Sequence, residues 1–282
     1  MKKKIIISGI NGFLGNRLKE LLNNRFQICG IGSEESNDGE IKVFSSSDLD
    51  NITIEPNYII LCHAAVSSGT ISLETDLLYK VNVKLTADII TKFPTSKIIF
   101  ISTASIYHMD GELINEDTIN CPKNDYSISK YWAEKVVLQT KRAAIIRLSS
   151  MFGINMKENT IIPNYVNQAI RNNKIEVWGE GKRQQNYILV DDVCMLILDV
   201  INNHEKVVNE ILLAVSNREY SNLELAKIIA KETKAEIKFV NQDNSISLNY
   251  NNKKTQNLLN WSSKTDFTQE IIKYITWKEK QY

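Results

Sequence analysis

Short, almost uninterrupted apolar runs recur along the first half of the chain, and most of them end in glycine, serine or another small residue. Such runs predict buried parallel strands, because a strand that is covered on both faces has no polar side. The strands predicted in this way are Lys3–Ser8, Phe26–Ile31, Ile41–Phe44, Tyr58–Cys62, a run that begins at Ile98, and Ala143–Leu148.

Segments with apolar residues three and four positions apart lie between these runs, and this spacing predicts amphipathic helices. The longest extends from Leu73 to Phe93, and another continues from Tyr126 through Val137. Strands that alternate with helices predict an α/β fold with a doubly wound, mostly parallel sheet. We expect this domain to comprise residues 1–150 and to be joined by a later segment near 186–215.

From about Ser149 the predicted elements become shorter and mixed, and Ile211–Val215 is a candidate for one more strand of the sheet. We expect residues 151–282 to form mainly a smaller α/β domain that covers the carboxyl edge of the sheet, where open α/β folds bind ligands.

Composition and charge limit the classes of function. The 282 residues are 43% hydrophobic and 24% charged, with a net charge of +1, which gives no support for a nucleic-acid or membrane partner. The apolar run Ile5–Ile7 is too short for a secretion signal, so we expect a cytoplasmic protein. The four cysteines, Cys29, Cys62, Cys121 and Cys194, are scattered without metal-binding spacing, so we expect free thiols and no metal site.

A glycine-rich turn follows the first predicted strand, with Gly9, Gly12 and Gly15 three residues apart. Glycines in a strand–turn–helix unit let the backbone approach a pyrophosphate, and the helix N-terminus supplies free N–H groups. We therefore expect a dinucleotide site at Gly9, Asn11, Gly12, Phe13, Leu14 and Gly15.

The loop after the second strand favours NAD over NADP. Glu34 and Glu35 are candidates for the ribose contact, or are simply solvated loop charges. Because no basic residue lies between Arg25 and Lys42, a 2′-phosphate has no cationic partner there. Arg17 is the one residue that could reverse this preference, so NADP stays possible.

Tyr126 and Lys130 are four residues apart and lie on one face of a predicted helix. An ammonium beside a phenol lowers the pKa of the phenol, and Thr103 or Ser102 at the preceding strand end could hold a substrate oxygen. These groups predict proton transfer to a carbon-bound hydroxyl. A surface Tyr–Lys pair is the alternative.

In order and spacing, these motifs resemble the extended short-chain dehydrogenase/reductase family, in its nucleotide-sugar epimerase, dehydratase and ketoreductase branch. The resemblance implies a Rossmann-like fold over nearly the whole chain. It is carried by Gly9-x-x-Gly12-x-x-Gly15, Asp48-Leu49, His63-Ala64-Ala65, Asn82-Val83, Ser102–Tyr107, Tyr126-x-x-x-Lys130, Arg147–Gly153, Gly179-x-Gly181, Val190–Val193 and Leu259–Trp261.

The resemblance also implies roles. Tyr126 would be the acid and base, Lys130 would bind the nicotinamide ribose, and Thr103 would hold the reacting sugar oxygen. Asn82 would brace the sheet. Further cofactor contacts would come from Asp48, Leu49, Ala64, Ala65 and Ser102.

Departures from the family pattern help to choose among activities. Dehydratases of this branch carry Asp-Glu where Ala104-Ser105 stands here, so a dehydratase is disfavoured. The family often has an asparagine where Ser150 stands here and a phosphate-binding arginine near Gln185, and both are missing. Arg183 or Lys182 could replace that arginine as a contact for the substrate's diphosphate, or both are simply turn charges.

We expect an NAD-dependent nucleotide-sugar 4-epimerase that forms a homodimer through helices 73–93 and 126–140. The alternatives are an NAD(P)H-dependent nucleotide-sugar 4-ketoreductase, which would use the same three residues in one direction, and a non-catalytic dinucleotide-binding regulatory protein.

Overall fold

The computed structural model of the protein describes residues 2–66, 73–108 and 111–282. The strands are β1 Lys4–Ser8, β2 Gln27–Gly32, β3 Ser36–Asp38, β4 Ile41–Ser45, β5 Tyr58–Leu61, β6 Lys97–Thr103, β7 Leu113–Ile114, β8 Ala143–Leu148, β9 Ser150–Phe152, β10 Lys174–Trp178, β11 Gln184–Leu189, β12 Ile211–Ala214, β13 Glu219–Ser221, β14 Glu236–Val240 and β15 Asn249–Tyr250. The helices are α1 Phe13–Leu22, α2 Thr75–Leu78, α3 Leu85–Lys92, α4 Asp125–Leu138, α5 Ile161–Asn172, α6 Val190–Asn202, α7 His204–Val207, α8 Asn222–Thr233, α9 Lys253–Leu259 and α10 Phe267–Glu279.

An eight-stranded sheet in the order β12-β8-β6-β5-β1-β2-β4-β3 forms the centre of the molecule. All of its pairs are parallel except β3 with β4 at one edge. The chain builds outward in both directions from β1, with β2 on one side and β5 on the other. The strand order therefore reverses at β1, and in such sheets the crevice for ligands opens at this point.

The two faces of the sheet carry separate hydrophobic cores because successive side chains of a strand point to opposite faces. In β1, Ile5 and Ile7 belong to a core that includes Leu18 of α1 and Val193 of α6. Ile6 belongs to the opposite core, together with residues of α3 and α4. Burial on both faces explains why the strands are uninterrupted apolar runs.

The later part of the chain forms a third core. It collects α5, α8 and α10 around the small sheets β13-β11-β9 and β10-β14. The expected strand near Ile211–Val215 is confirmed, since β12 pairs with β8 in the large sheet. The sequence analysis did not predict β3, β7, β9, β13, β14 or β15, and most of these strands have only two or three residues, which is too few to show a period.

The predicted helix from Leu73 to Phe93 is three elements in succession, because a π-helical turn, Tyr79–Lys84, separates α2 from α3. Buried Asn82 lies in this turn and accepts a hydrogen bond from the backbone N–H of Ala65 at 2.8 Å. The extra residue in such a turn reorients side chains that a regular helix would place elsewhere. No helix in the described part of the chain is long and apolar enough to cross a bilayer.

Asp192 attaches the segment before α10 to the N-terminus of α6. Its carboxylate accepts hydrogen bonds from Ser263 Oγ at 2.5 Å and from Thr265 Oγ1 at 2.6 Å. A carboxylate in the first turn of a helix is also favoured by the helix dipole.

We expect Asp192→Ala to lower the free energy of unfolding by about 2 kcal/mol, because it leaves two hydroxyl donors without their charged acceptor. Urea unfolding measures this loss. The matched control is Asp88→Asn, which removes only an exposed pair with Lys84 and should leave the unfolding midpoint close to that of the wild type. Equal midpoints for Asp192→Ala and the control would contradict the attachment.

Candidate active site

A cleft of about 540 Å³ opens at the carboxyl ends of the central strands. Gly9 follows β1, His63 follows β5, and Thr103 ends β6, so three neighbouring strands bring their ends to one place. The glycine turn forms one wall and α4 contributes Tyr126 and Lys130 to another. Parallel pairing accounts for this convergence, because it aligns the carboxyl ends of all the strands.

The glycine turn has no room for side chains. Gly9 has φ +68°, and a Cβ there would lie 2.8 Å from the backbone of His63. A Cβ at Gly15 would lie 2.2 Å from the carbonyl oxygen of Gly9, so the start of α1 packs directly on the turn. Gly12 precedes α1 without a side-chain cap, which leaves the first N–H groups of the helix without a side-chain acceptor.

Tyr126 and Thr103 lie next to each other in the cleft. Burial raises the pKa of Tyr126 to about 12, and a hydrogen bond with Thr103 acts in the opposite direction. The expectation that Lys130 lowers the pKa of this phenol is not met in this structure. The tyrosine is therefore a phenol, and a potential proton donor, at neutral pH.

Lys130 is buried and directed at the face of an aromatic ring. Its Nζ lies 4.1 Å from the centroid of the Phe100 ring. Burial lowers the pKa of Lys130 to about 8, while the charge of Glu134 acts to raise it. Lys130 consequently remains mainly a cation at neutral pH.

Ser105 fixes the orientation of the Thr103 hydroxyl. The backbone N–H of Ser105 donates to Thr103 Oγ1 at 3.1 Å, and Thr103 Oγ1 donates to Ser105 Oγ at 3.0 Å. Ser105 therefore holds the Thr103 hydroxyl in one position from two sides.

A neutral histidine connects β1 to α3 beneath the cleft. His63 Nδ1 lies 2.6 Å from Ser8 Oγ, and its Nε2 lies 3.1 Å from Thr86 Oγ1. Thr86 donates to the carbonyl oxygen of Asn82 at 2.9 Å, so Nε2 must carry the proton that reaches Thr86. Burial first, and then the charge of Lys130, lower the pKa of His63 to about 3.

Asn82 acts as a brace, as the family resemblance implied. Besides its bond to the N–H of Ala65, its Nδ2 donates to Ala65 O at 3.0 Å and to Ser129 Oγ at 2.9 Å. Ser129 in turn donates to the carbonyl oxygen of Tyr126 at 2.8 Å. One amide thus joins the end of β5 to the first turns of α4.

Most of the expected cofactor and catalytic residues lie together, although their contacts with a ligand stay predictions. Those that line the cleft are Gly9, Gly12, Phe13, Leu14, Gly15, Ala64, Ser102, Thr103, Tyr126 and Lys130. Those outside its lining are Asn11, Asp48, Leu49, Ala65, Ser150, Arg183 and Gln185.

Residues that we expected to contact adenine or substrate are hydrogen-bonded to other protein groups outside the cleft. Asp48 accepts a hydrogen bond from Asn51, and Ser33 and Ser46 line the cleft nearby instead. Gln185 Nε2 donates to Asn222 Oδ1 at 2.8 Å, and Arg183 Nε donates to the carbonyl oxygen of Ile246 at 3.3 Å.

Lys157 and Thr160 line the cleft and were missed by the sequence analysis. Their signal was the hydroxyl of Thr160 immediately before the amphipathic helix α5. Both residues come from the later part of the chain, so they offer a cation and a hydroxyl to a ligand that extends beyond the glycine turn.

The cleft suits a dinucleotide on two observations. Ser102 Oγ is buried without a hydrogen-bond partner among the described residues, so it is ready to bind a ligand at the cleft. The glycine turn forms a cradle that any Cβ would fill. In contrast, the part of the chain that the structure describes contains no cluster of three or more metal-ligating side chains.

Arg17 is not among the residues that line this cleft, and it is bound by two carboxylates. It forms ion pairs with Asp191 and with Glu20, the latter at 2.6 Å. These hydrogen bonds raise the pKa of Arg17 well above its ordinary value.

Comparison with known proteins gives a family. A model described as the NAD dependent epimerase/dehydratase family matches residues 5–214. A dTDP-D-glucose 4,6-dehydratase of Dictyostelium discoideum is 25% identical over 273 residues, which cover 80% of this chain and 61% of that protein. The chain therefore spans less than two thirds of that relative.

A second relative is matched over more of its length. A UDP-N-acetyl-alpha-D-glucosaminuronate decarboxylase of Bacillus cytotoxicus is 25% identical over 269 residues, which cover 85% of this chain and 83% of that protein. The two relatives carry out different reactions, so similarity at this level does not define the reaction of this chain.

Among solved structures, a UDP-glucuronic acid 4-epimerase from Bacillus cereus, in complex with UDP-glucuronic acid and NAD, superposes with a TM-score of 0.89. The match covers 99% of this chain and 100% of that chain at 16% identity. At this identity the likeness shows the fold, and it confirms the predicted Rossmann-like, doubly wound sheet.

The neutral state of His63 predicts a pH dependence of stability. Between the ordinary pKa of 6.5 and the lowered value of about 3, the unfolded chain binds a proton that the folded chain does not. We therefore expect the contribution of His63 to lower the free energy of unfolding by about 1.4 kcal/mol for each pH unit as the pH falls through this window.

Urea unfolding at several pH values gives the free energy of unfolding of the wild type and of His63→Gln as a function of pH. The difference between the two slopes against pH is the contribution of His63. His108→Gln, at an exposed histidine, is the control and should keep the wild-type slope. If His63→Gln also keeps that slope, His63 is not held neutral in the fold.

Proposed function

The chain belongs to the NAD-dependent epimerase/dehydratase family, and we propose that it is an NAD-dependent nucleotide-sugar 4-epimerase. The observation that carries the proposal is the assembly of Tyr126, Lys130 and Thr103 in the cleft of the glycine turn. A phenol, a buried ammonium and an oriented hydroxyl are what proton transfer to and from a sugar hydroxyl requires.

In this proposal the glycine turn binds the pyrophosphate, Ser102 binds the cofactor next to Thr103, and Lys130 donates to the nicotinamide ribose. When bound, the nicotinamide supplies hydride acceptor and donor chemistry. The ion pairs of Arg17 with Asp191 and Glu20 support NAD over NADP, because they occupy the one cation that the sequence offered for a 2′-phosphate.

Tyr126 has two tasks in a 4-epimerase. It takes the proton of the C4 hydroxyl while that carbon is oxidised, and it returns a proton to the oxygen of the 4-keto sugar when hydride comes back to the other face. The raised pKa of Tyr126, which keeps the side chain protonated at neutral pH, suits the second task directly. For the first task the cation of Lys130 must favour the phenolate once the site is filled.

The two residues after Thr103 argue against a dehydratase, which needs an acid and a base to eliminate water. Ala104 is buried, and the Ser105 hydroxyl is bonded to Thr103. Neither side chain supplies the carboxyl group that family dehydratases place there.

A 4-ketoreductase is the second candidate, because Glu34 and Glu35 are exposed and no acid lines the cleft at the end of β2. Such an enzyme would exchange its cofactor in each turnover. A non-catalytic dinucleotide-binding regulator is the third candidate, and the intact set of Tyr126, Lys130 and Thr103 weighs against it.

Incubation with UDP- or dTDP-hexoses, followed by separation of the C4 epimers, tests the leading candidate. We expect interconversion of the epimers without net formation of NADH. Tyr126→Phe should lower turnover by about 100-fold or more because it removes the proton-transfer group, while NAD affinity is kept.

Tyr131→Phe on the same helix is the control and should retain wild-type turnover. Stoichiometric oxidation of NADPH by a 4-keto sugar would instead identify a reductase. Wild-type turnover in Tyr126→Phe would contradict the mechanism, and NAD binding without turnover of any nucleotide sugar would favour the regulator.

We also propose a homodimer through the helices that flank the site. Leu77 and Tyr79 near α2 and Ile128 and Trp132 on α4 are large apolar side chains that are at least 42% exposed. The Tyr79 and Trp132 rings pack at 5.4 Å between centroids and form one continuous patch. A second copy of the same patch would cover it.

Light scattering at micromolar concentration should give twice the chain mass of 32.2 kDa. We expect Trp132→Glu to give a monomer, because a charge in an apolar interface loses its hydration without gaining a partner. The matched control is Trp178→Glu at a tryptophan of similar exposure on β10, which should remain dimeric. A monomeric wild type would rule out the dimer.

A further inference from the structure

The ammonium of Lys130 is buried without a direct ion pair. The residue is 2% exposed. Within residues 2–66, 73–108 and 111–282, no carboxylate oxygen lies within 4.0 Å of its Nζ. An isolated buried ammonium tends to lose its proton, so its charge needs support from a neighbouring anion.

The groups that face Lys130 come from several elements, and most of them are neutral. From the end of β5, the Cys62 thiol has its pKa raised by burial, and His63 has its pKa lowered to about 3. Tyr126, one turn earlier on α4, is a phenol at neutral pH. Among these described neighbours, Glu134 alone supplies a negative charge.

Glu134 lies one turn after Lys130 on α4, and side chains four residues apart share one face of a helix. Both of its oxygens are occupied by Arg147 on β8, which donates from Nε at 2.9 Å and from Nη2 at 2.6 Å. The two side chains are 1% exposed or less. Burial opposes the charge of Arg147, but Glu134 keeps the pKa of Arg147 above its ordinary value.

This geometry separates two effects that a carboxylate has on an ammonium. A carboxylate one helical turn away favours the protonated form of the lysine through its charge alone. A carboxylate in direct contact would also occupy the N–H donors of the ammonium. A bidentate guanidinium holds the carboxylate plane rigidly, so Glu134 cannot turn toward Lys130.

We propose that Arg147 and Glu134 are positioning residues for Lys130. Arg147 binds both oxygens of Glu134, which leaves the carboxylate near enough to support the ammonium charge but unable to occupy its N–H donors. The donors stay free for ribose hydroxyls, and this last step rests on the proposed NAD site.

Two variants should move the titration of Lys130 in opposite directions. Arg147→Met releases Glu134 to pair with Lys130, so we expect the midpoint of Lys130 to rise by about one pH unit. The double variant Glu134→Met with Arg147→Met removes the anion, so the midpoint should fall. Replacing a buried ion pair by two apolar side chains of similar size usually preserves the fold.

The measurement is a pH titration of the side-chain ε-carbon signals of ¹³C-lysine-labelled protein without cofactor, with Lys130→Met to assign the signal. The control is Asp88→Asn, which should leave the Lys130 midpoint unchanged. A purely structural role for the pair would leave the midpoint unmoved or move it the same way in both variants, and either result overturns the proposal. If Arg147→Met does not fold, an unchanged midpoint in the double variant still overturns it.

Calorimetry of NAD binding below neutral pH gives a second result. Arg147→Met should weaken affinity by about tenfold, because the ammonium donors become occupied, while the double variant should bind like wild type. Opposite Lys130 shifts without turnover of any nucleotide sugar would leave this inference standing and refute the proposed activity. Equal NAD affinities in all variants would refute the ribose step alone.

Discussion

Parallel pairing of β1 with β2 on one side and β5 on the other is the constraint on which the site depends. It aligns the carboxyl ends of β1, β5 and β6, so that Gly9, His63 and Thr103 meet although they are far apart in the sequence. The packing of α4 against the sheet then brings Tyr126 to Thr103. The Asn82 brace and the Glu134–Arg147 pair both hold that helix in place.

Burial favours the neutral form of each titratable group in the cleft. It raises the pKa of Tyr126, lowers that of Lys130 and lowers that of His63 more strongly. In each case the low-polarity surroundings favour the neutral form. Charge at this site therefore has to be supported by specific neighbours, and this is why a carboxylate one helical turn from Lys130 matters to its chemistry.

The chain shares its fold with an epimerase and is similar in sequence to a dehydratase and a decarboxylase. Because parallel strands bring their carboxyl ends together in this fold, the proposed reaction depends on the side chains at those ends, such as Ala104 and Ser105. Lys157 and Thr160, which come from the later part of the chain, line the same cleft.

The sequence by itself determined the alternation of strands and helices, the glycine turn, and the pairing of Tyr126 with Lys130 on one helix face. These features depend on neighbours within a few residues, so local patterns reveal them. Only the tertiary structure decided that Arg17 is held by Asp191, that Asp48 and Leu49 lie outside the lining of the cleft, and that the tyrosine pKa is raised. Each of these depends on burial or on a partner distant in sequence, which no local spacing encodes.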